Sequence, residues 1–289
     1  MPRDLDGRVV LVTGATDGLG RAAAAEFAAR GATLTIVGRD EAKTRHTAET
    51  LRQATGNQAV DTLCADLSSL AGMRAVAGGF LARRQRLDVL VNNAGAMFDR
   101  PAVTVDGLEK TFALNHLAYF VVTAELLGLL RQTPGARVVN TASTAHHLGR
   151  GDVERMPTRS TGPGLIGGFR AYCDSKLANV VFTRELARRL APSGVTANCH
   201  HPGYVRSGFF ARTSGAIRYA TGNRLATLVA RTPERAADTL VWLATDDAAA
   251  PHSGEYFIDR TARPVARAAR DEHLGARLWT LSERLAAAG

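Results

Sequence analysis

Within the stretch AYCDSKLANVVFTREL, residues 171 to 186, Tyr172 and Lys176 have the types and the spacing for proton transfer. A separation of four puts both side chains on one face of a helix, about 6 Å apart along its axis, so that both can point into one cleft. A free phenol has a pKa of about 10, too high for ready exchange near neutrality, and a neighbouring ammonium favours the phenolate. On this reading Tyr172 is the general acid of a carbonyl reduction and the general base of the reverse alcohol oxidation, with Lys176 lowering its pKa. Ser143 ends the apolar run RVVNTAS, where its hydroxyl can hydrogen-bond a substrate oxygen and fix it for transfer. Cys173 and Asp174, between the pair, are expected on other faces of the helix.

Such residues need a frame, and the chain supplies a repeating one. The runs RVVLVTG, TLTIVG, LDVLVNNAG, ARVVNTAS and VTANCHHPG alternate with longer stretches of helical period, as in a parallel sheet with crossover helices. The runs are almost continuously apolar, as expected of strands buried on both sides. The expected fold is α/β, a doubly wound parallel sheet of about seven strands with helices on both faces. With neither a linker nor a repeat in the sequence, residues 1 to 289 are expected to form one domain. The stretch 148 to 170, rich in Gly, Pro, Arg and Thr, follows neither period and is expected to be a loop beside a functional site. Residues 202 to 224 mix aromatic and apolar residues with glycines, which suits a mobile substrate lid and a surface helix pair equally.

The first strand runs into TGATDGLG, with Gly14, Thr16, Asp17, Gly18, Leu19 and Gly20 at the turn into an alanine-rich helix. This arrangement suits a pyrophosphate: Gly14 permits the tight turn, Gly18 lets the backbone approach the anion, and Gly20 lets the helix pack closely. Where the second strand ends, a cofactor with a free 2′-hydroxyl usually meets an acidic acceptor, but here Gly38 and Arg39 follow. A small residue and a guanidinium leave room and charge for a 2′-phosphate, so NADP(H) is expected over NAD(H). Asp17 and Asp40 work against that field.

Together with ADLSS at 65 to 69 and NNAG at 92 to 95, these residues resemble the short-chain dehydrogenase/reductase family through almost the entire chain. RVVNTASTAHHLGR, AYCDSKLANVVFTRELARRL and the tail from Ser253 narrow the resemblance to its retinol-dehydrogenase-like branch, which includes the WW-domain oxidoreductase. The resemblance implies a Rossmann-type fold and a catalytic set of Asn115, Ser143, Tyr172 and Lys176. In it Asn115 holds a water joined to the lysine, and Lys176 also holds the nicotinamide ribose. It further implies that Asp66, with Leu67 beside it, meets the adenine amino group, and that Asn93, Ala94 and Gly95 line the adenosine ribose. Pro202, Gly203, Val205 and Ser207 would border the nicotinamide, Ser207 standing where the family usually has threonine. Dimers or tetramers built through the helices of Asn115 and Tyr172 are common in the family. Met97, Phe98 and Tyr204 follow cofactor segments and suit either an apolar substrate wall or ordinary loop packing.

Bulk properties exclude other classes. Lys and Arg number 36 against 27 Asp and Glu, but the basic residues are scattered and no nucleic-acid-binding motif accompanies them. Cys64, Cys173 and Cys199 lack metal or disulfide spacing, which points to a reducing compartment. His146 and His147 are adjacent and have no third ligand in the pattern, so no metal site is expected. With no signal-peptide pattern, no apolar N-terminal anchor and no uninterrupted apolar run of about 20 residues, a cytoplasmic protein without a membrane anchor is expected. The leading function is an NADP(H)-dependent oxidoreductase for a small apolar carbonyl or alcohol. The competing class is an NADP(H)-binding sensor or scaffold without significant catalysis.

Overall fold

The computed structural model describes residues 3–98, 102–158, 164–205 and 230–288. Its sheet comprises β1 (Val9–Thr13), β2 (Thr33–Gly38), β3 (Val60–Cys64), β4 (Val89–Asn92), β5 (Arg137–Thr141), β6 (Thr196–His200), β7 (Tyr256–Ile258) and β8 (Thr261–Ala262), in the order β3-β2-β1-β4-β5-β6-β7-β8. Neighbours pair in parallel as far as β7, and β8 returns antiparallel. This is the Rossmann-type architecture, with eight strands where about seven were expected. The extra strand is a two-residue return after Asp259 and Arg260, whose φ values of 50° and 56° make the left-handed turn that joins twisted hairpin strands. Arginine is unusual there, and it is held by a charged fork to Asp238 and by its backbone N–H, which donates to Thr239 Oγ1 at 3.1 Å.

Helices α1 (Gly18–Ala29), α2 (Glu41–Thr55) and α6 (Pro233–Thr245) cover one face of the sheet. The other face carries α3 (Leu70–Leu81), α4 (Lys110–Gln132) and α5 (Gly164–Leu190), with α7 (Glu272–Ala287) laid across α5. The strand order reverses between β1 and β4, so the carboxyl ends of β1, β4 and β5 open a crevice where ligands of such sheets bind.

One sequence expectation changes here. Residues 164–170 are the first turns of α5 and not loop, and the stretch before them contains 3-10 turns at Thr144–Leu148 and Val153–Arg155. Gly167 and Gly168 hid the helical period, but both are buried, and the long apolar remainder of α5 holds its start in place. The expectation of no uninterrupted apolar run of about 20 residues stands for α4, whose sequence is broken by Asn115, His116 and Glu125; it is long and apolar enough on average to span a bilayer, but 72% of its most apolar window is buried inside the fold.

The tail helix α7 is fixed by Trp279, which stacks on Phe182 with ring centroids 6.0 Å apart, meets Phe120 edge-on at 5.0 Å and carries Arg189 over its face at 4.2 Å. Trp279→Ala is therefore expected to cost about 3 kcal/mol, measured by denaturant unfolding.

Candidate active site

The crevice is a cleft of about 1190 Å³. At one end α1 begins inside it. Gly14 takes φ +67°, and a Cβ there would lie 2.7 Å from Ala94 Cα, so the glycine is required by the close approach of the β4 end. Thr16, Gly18, Leu19 and Gly20 complete this floor. Asp17 caps α1 by accepting from Gly18 N–H at 2.7 Å, and Lys43 approaches its other oxygen at 3.6 Å. The negative charge that sequence alone sets against an anionic ligand is thus balanced. Lys43 and Arg39 both line this end of the cleft; Lys43 is a residue the sequence reading missed, because only the start of α2 at Asp40 brings it beside Asp17.

Asp66 and Leu67 line the same half. Burial acts to raise the Asp66 pKa, but the backbone and hydroxyl bonds from Ser68, together with the charges of Arg39 and Lys110, outweigh it and hold the carboxyl below its usual range. Asn93, Ala94 and Gly95 also border the cleft. The Asn93 amide, however, is engaged by the protein: it donates to Thr13 O and Gly14 O at 3.1 and 3.2 Å and accepts from Thr141 Oγ1 at 3.3 Å. Its observed work is to lock the glycine turn to the ends of β4 and β5, and Thr13, whose hydroxyl accepts from the N–H groups of Asn93 and Ala94, shares it.

The middle of the cleft brings together Ser143, Tyr172 and Lys176. Ser143 Oγ accepts from Ala145 N–H at 3.2 Å and hydrogen-bonds Tyr172. Lys176 is buried and donates to Thr141 O at 2.9 Å, with its Nζ 5.7 Å from the centre of the Tyr172 ring. Burial pushes Tyr172 up to about 12, opposed by the Ser143 hydrogen bond, and burial brings Lys176 down to about 7. Both shifts have the same cause, since each group sits where its charged form is costly.

Asn115 lies behind this trio and not in the cleft wall. It falls in a π-helical turn of α4, Ala113–Leu117, a local widening often found at functional sites. Its amide exchanges two hydrogen bonds with the backbone of Ala96, both 2.9 Å, and donates to Ser175 Oγ at 3.1 Å. Asn115 therefore ties the end of β4 to the helix that carries Tyr172 and Lys176.

Pro202, Gly203 and Val205 line the cleft beyond Lys176, whereas Ser207 is outside the described residues. Gly203 has φ +82°, and a Cβ there would meet Arg231 Cδ at 2.7 Å; Arg231 also donates through its N–H to Tyr204 O at 2.7 Å and forks onto Asp259. The outer half is mostly apolar, with Met97, Leu148, Leu165, Ile166, Phe169 and Tyr204, and Arg150 and Arg170 also line the cleft. Phe98 instead stacks beneath Lys110, 5.4 Å away. Cys173, expected on another face, is buried and also reaches the cleft, whereas Asp174 accepts from Arg150 N–H at 2.8 Å.

Comparison with known proteins agrees with this geometry. Residues 8–154 match the model of the short chain dehydrogenase family, and residues 158–260 match that of the enoyl-(acyl carrier protein) reductases. Human retinol dehydrogenase 11 is 40% identical over 278 residues, covering 96% of this chain and 85% of the relative. Among solved structures, an uncharacterized protein of Mycobacterium paratuberculosis has a TM-score of 0.76 at 33% identity, covering 99% of this chain and 95% of that one. The Pseudomonas aeruginosa RhlG/NADP active-site complex has a TM-score of 0.69 at 30% identity, with coverages of 88% and 95%. With a sheet, a nucleotide cleft and a match of this length, the chain belongs to the short-chain dehydrogenase/reductase family, in its retinol-dehydrogenase-like branch, and is an oxidoreductase acting on CH–OH groups.

Proposed function

We propose that the enzyme exchanges hydride between NADP(H) and an apolar aldehyde or ketone, or the corresponding alcohol. The observation that carries this reading is the meeting of Ser143, Tyr172 and Lys176 between a glycine-floored helix start and an apolar wall. The cleft fits a dinucleotide: the α1 N-terminus suits a pyrophosphate, and two cations border that end. A bound nicotinamide supplies the hydride in reduction and takes it in oxidation.

The chain's own residues do the remaining work. Ser143 holds the substrate oxygen, and Tyr172, a neutral phenol at ordinary pH, gives that oxygen its proton in reduction. Lys176 has further N–H groups besides the one on Thr141 O with which to hold ribose hydroxyls. Asn115 keeps β4 and α5 in register behind them and supports the proton path. The human relative's name gives retinol, a long apolar alcohol, as its substrate, and the outer half of the cleft suits that class.

Preference for NADP(H) is supported by the β2 end. An acidic acceptor at position 38 has no room, because a Cβ there would lie 2.1 Å from Thr44 Oγ1 and 2.6 Å from Thr16 Cγ2. Arg39 and Lys43 offer charge for a 2′-phosphate instead, and the Pseudomonas relative is a complex with NADP. Arg39→Leu is expected to weaken NADPH binding by about 10- to 100-fold while NADH binding changes less than about twofold, as read by fluorescence titration of both nucleotides. Equal losses for the two would remove Arg39 from the 2′-phosphate site.

The function itself is tested by NADPH- and NADH-linked turnover over a panel of aldehydes, ketones and secondary alcohols of increasing apolar length. Tight NADPH binding with no turnover on that panel would instead make the protein a nucleotide-binding sensor or scaffold.

A further inference from the structure

His146 has a more definite place than its pairing with His147 suggests. It is wholly buried at the 3-10 turn that follows Ser143. Its Nδ1 lies 2.6 Å from the carbonyl oxygen of Ser143, and its Nε2 lies 3.2 Å from the backbone nitrogen of Ala266, far along the chain before the tail helix. The chemistry of these partners assigns the tautomer. A carbonyl only accepts and a backbone N–H only donates, so Nδ1 carries the proton and Nε2 accepts. The ring is further fixed edge-on to Tyr256, with centroids 4.7 Å apart, and His147 lies alongside at 4.0 Å. Burial brings its pKa down to about 4, so this neutral tautomer persists through the working pH range.

The bond to Ser143 therefore falls on the backbone of the residue whose hydroxyl lines the cleft. Ser143 Oγ accepts from Ala145 N–H, and His146 N–H donates back to Ser143 O at 3.1 Å, so the Ser143 carbonyl receives both a backbone and a ring donor from one residue. The remaining ring nitrogen ties this turn to the segment before α7. The same segment, through Ala268, and α7 itself, through Leu274 beside Gly151 and through Arg277 and Arg284 on Glu154, hold the outer loop.

We infer that His146 is a positioning residue for the reaction: its Nδ1–H fixes the peptide plane of Ser143, while Ala266 N–H on its Nε2 sets the tautomer that makes Nδ1 the donor. It touches neither the cleft nor any reacting atom; it acts by holding the Ser143 hydroxyl where the substrate oxygen must sit. Small misplacements at such a position are costly, because an offset of about 1 Å can lower a rate by about 100-fold. The inference rests on the reading of Ser143 as the group that orients the substrate oxygen.

The test separates the two ring nitrogens. In His146→Asn the amide nitrogen takes the place of Nδ1 and can still donate to Ser143 O, whereas the amide oxygen of His146→Gln takes the place of Nε2 and serves only Ala266. His146→Leu keeps neither bond. The expected result is a kcat for His146→Asn within about threefold of the parent and a loss of about tenfold or more in both His146→Gln and His146→Leu. NADPH affinity, measured by fluorescence titration, is expected to stay within about twofold in all soluble variants, since no cofactor-end residue is altered. If His146→Leu fails to fold, the Asn and Gln variants decide the matter alone. Parent-like kcat in His146→Gln, or a loss in His146→Asn as large as that in His146→Gln, overturns the inference. Ser143→Ala is assayed beside them: undiminished turnover there removes the reading of Ser143 itself, whereas an inactive Ser143→Ala with a fully active His146→Gln removes only the role given to His146.

Discussion

Tyr172→Phe lowers kcat for carbonyl reduction by about 100- to 10,000-fold and leaves NADPH affinity within about twofold. The substitution removes one oxygen from a half-buried ring that otherwise keeps its place, so the effect falls on proton transfer and not on the fold. The protonation state of the group gives the experiment a second arm. Because burial pushes the phenol up to about 12, with the Ser143 bond opposing, the enzyme at neutrality holds a proton ready to give and no phenolate ready to take one. Reduction therefore needs no prior ionisation of Tyr172, and any change in its kcat/KM between about pH 6 and 9 follows Lys176, which loses its charge as pH rises through about 7. Oxidation needs the ionised form, and its kcat/KM rises with pH over the same interval. Pre-steady-state rates in both directions on one alcohol–ketone couple measure this. A flat oxidation profile, or a Phe variant that turns over at the parent rate, would take Tyr172 out of the proton path.

That asymmetry could not be read in the sequence, although the pair that creates it could. The spacing of Tyr172 and Lys176 put both on one helix face, and the structure brings both into one cleft. What spacing does not carry is desolvation. The lysine donates to Thr141 O, which no motif marks, and is buried at 2% exposure, so its own charge is costly. Five strands, β1, β2, β4, β5 and β6, were legible because burial on two sides leaves continuous apolar runs, whereas the partly exposed β3 and the short β7 and β8 leave none; the glycine loop was legible because its glycines stand between such a run and a helix. Residues 164–170 were not, because Gly167 and Gly168 erase the local period of a helix that is held by its distant, well-packed end. His146 was misleading for a related reason: its second partner, Ala266, is close only once the chain has folded. Asn93 has work that no motif marks, since its amide bonds Thr13, Gly14 and Thr141 while the residue lines the cleft.

The glycine floor offers a second large effect, and its sign depends on surroundings that the residue type alone does not reveal. At Gly20 a Cβ would stand 2.3 Å from Gly14 O and 2.4 Å from Asn93 Nδ2. Neither neighbour can retreat cheaply: one is backbone in a turn with φ +67°, and the other is an amide already bonded to Thr13 O and Gly14 O. To admit one methyl, α1 must withdraw from the end of β4 by about 1 Å, which costs about 1–3 kcal/mol as overpacking. The same movement carries the helix N-terminus away from the anion it is placed to hold, so Gly20→Ala is expected to lose NADPH affinity by about 100-fold or more. Gly78, on the exposed side of α3, is different: a methyl added there would have nothing within 4 Å, and its φ is not positive. There the substitution only removes the conformational freedom of the unfolded chain, and Gly78→Ala is expected to stabilise by about 0.5–1 kcal/mol with NADPH affinity unchanged. Denaturant unfolding and nucleotide titration of the two variants side by side decide the point. If Gly20→Ala binds NADPH within about threefold of the parent, close packing of α1 against the β4 end is not what sets the cofactor site.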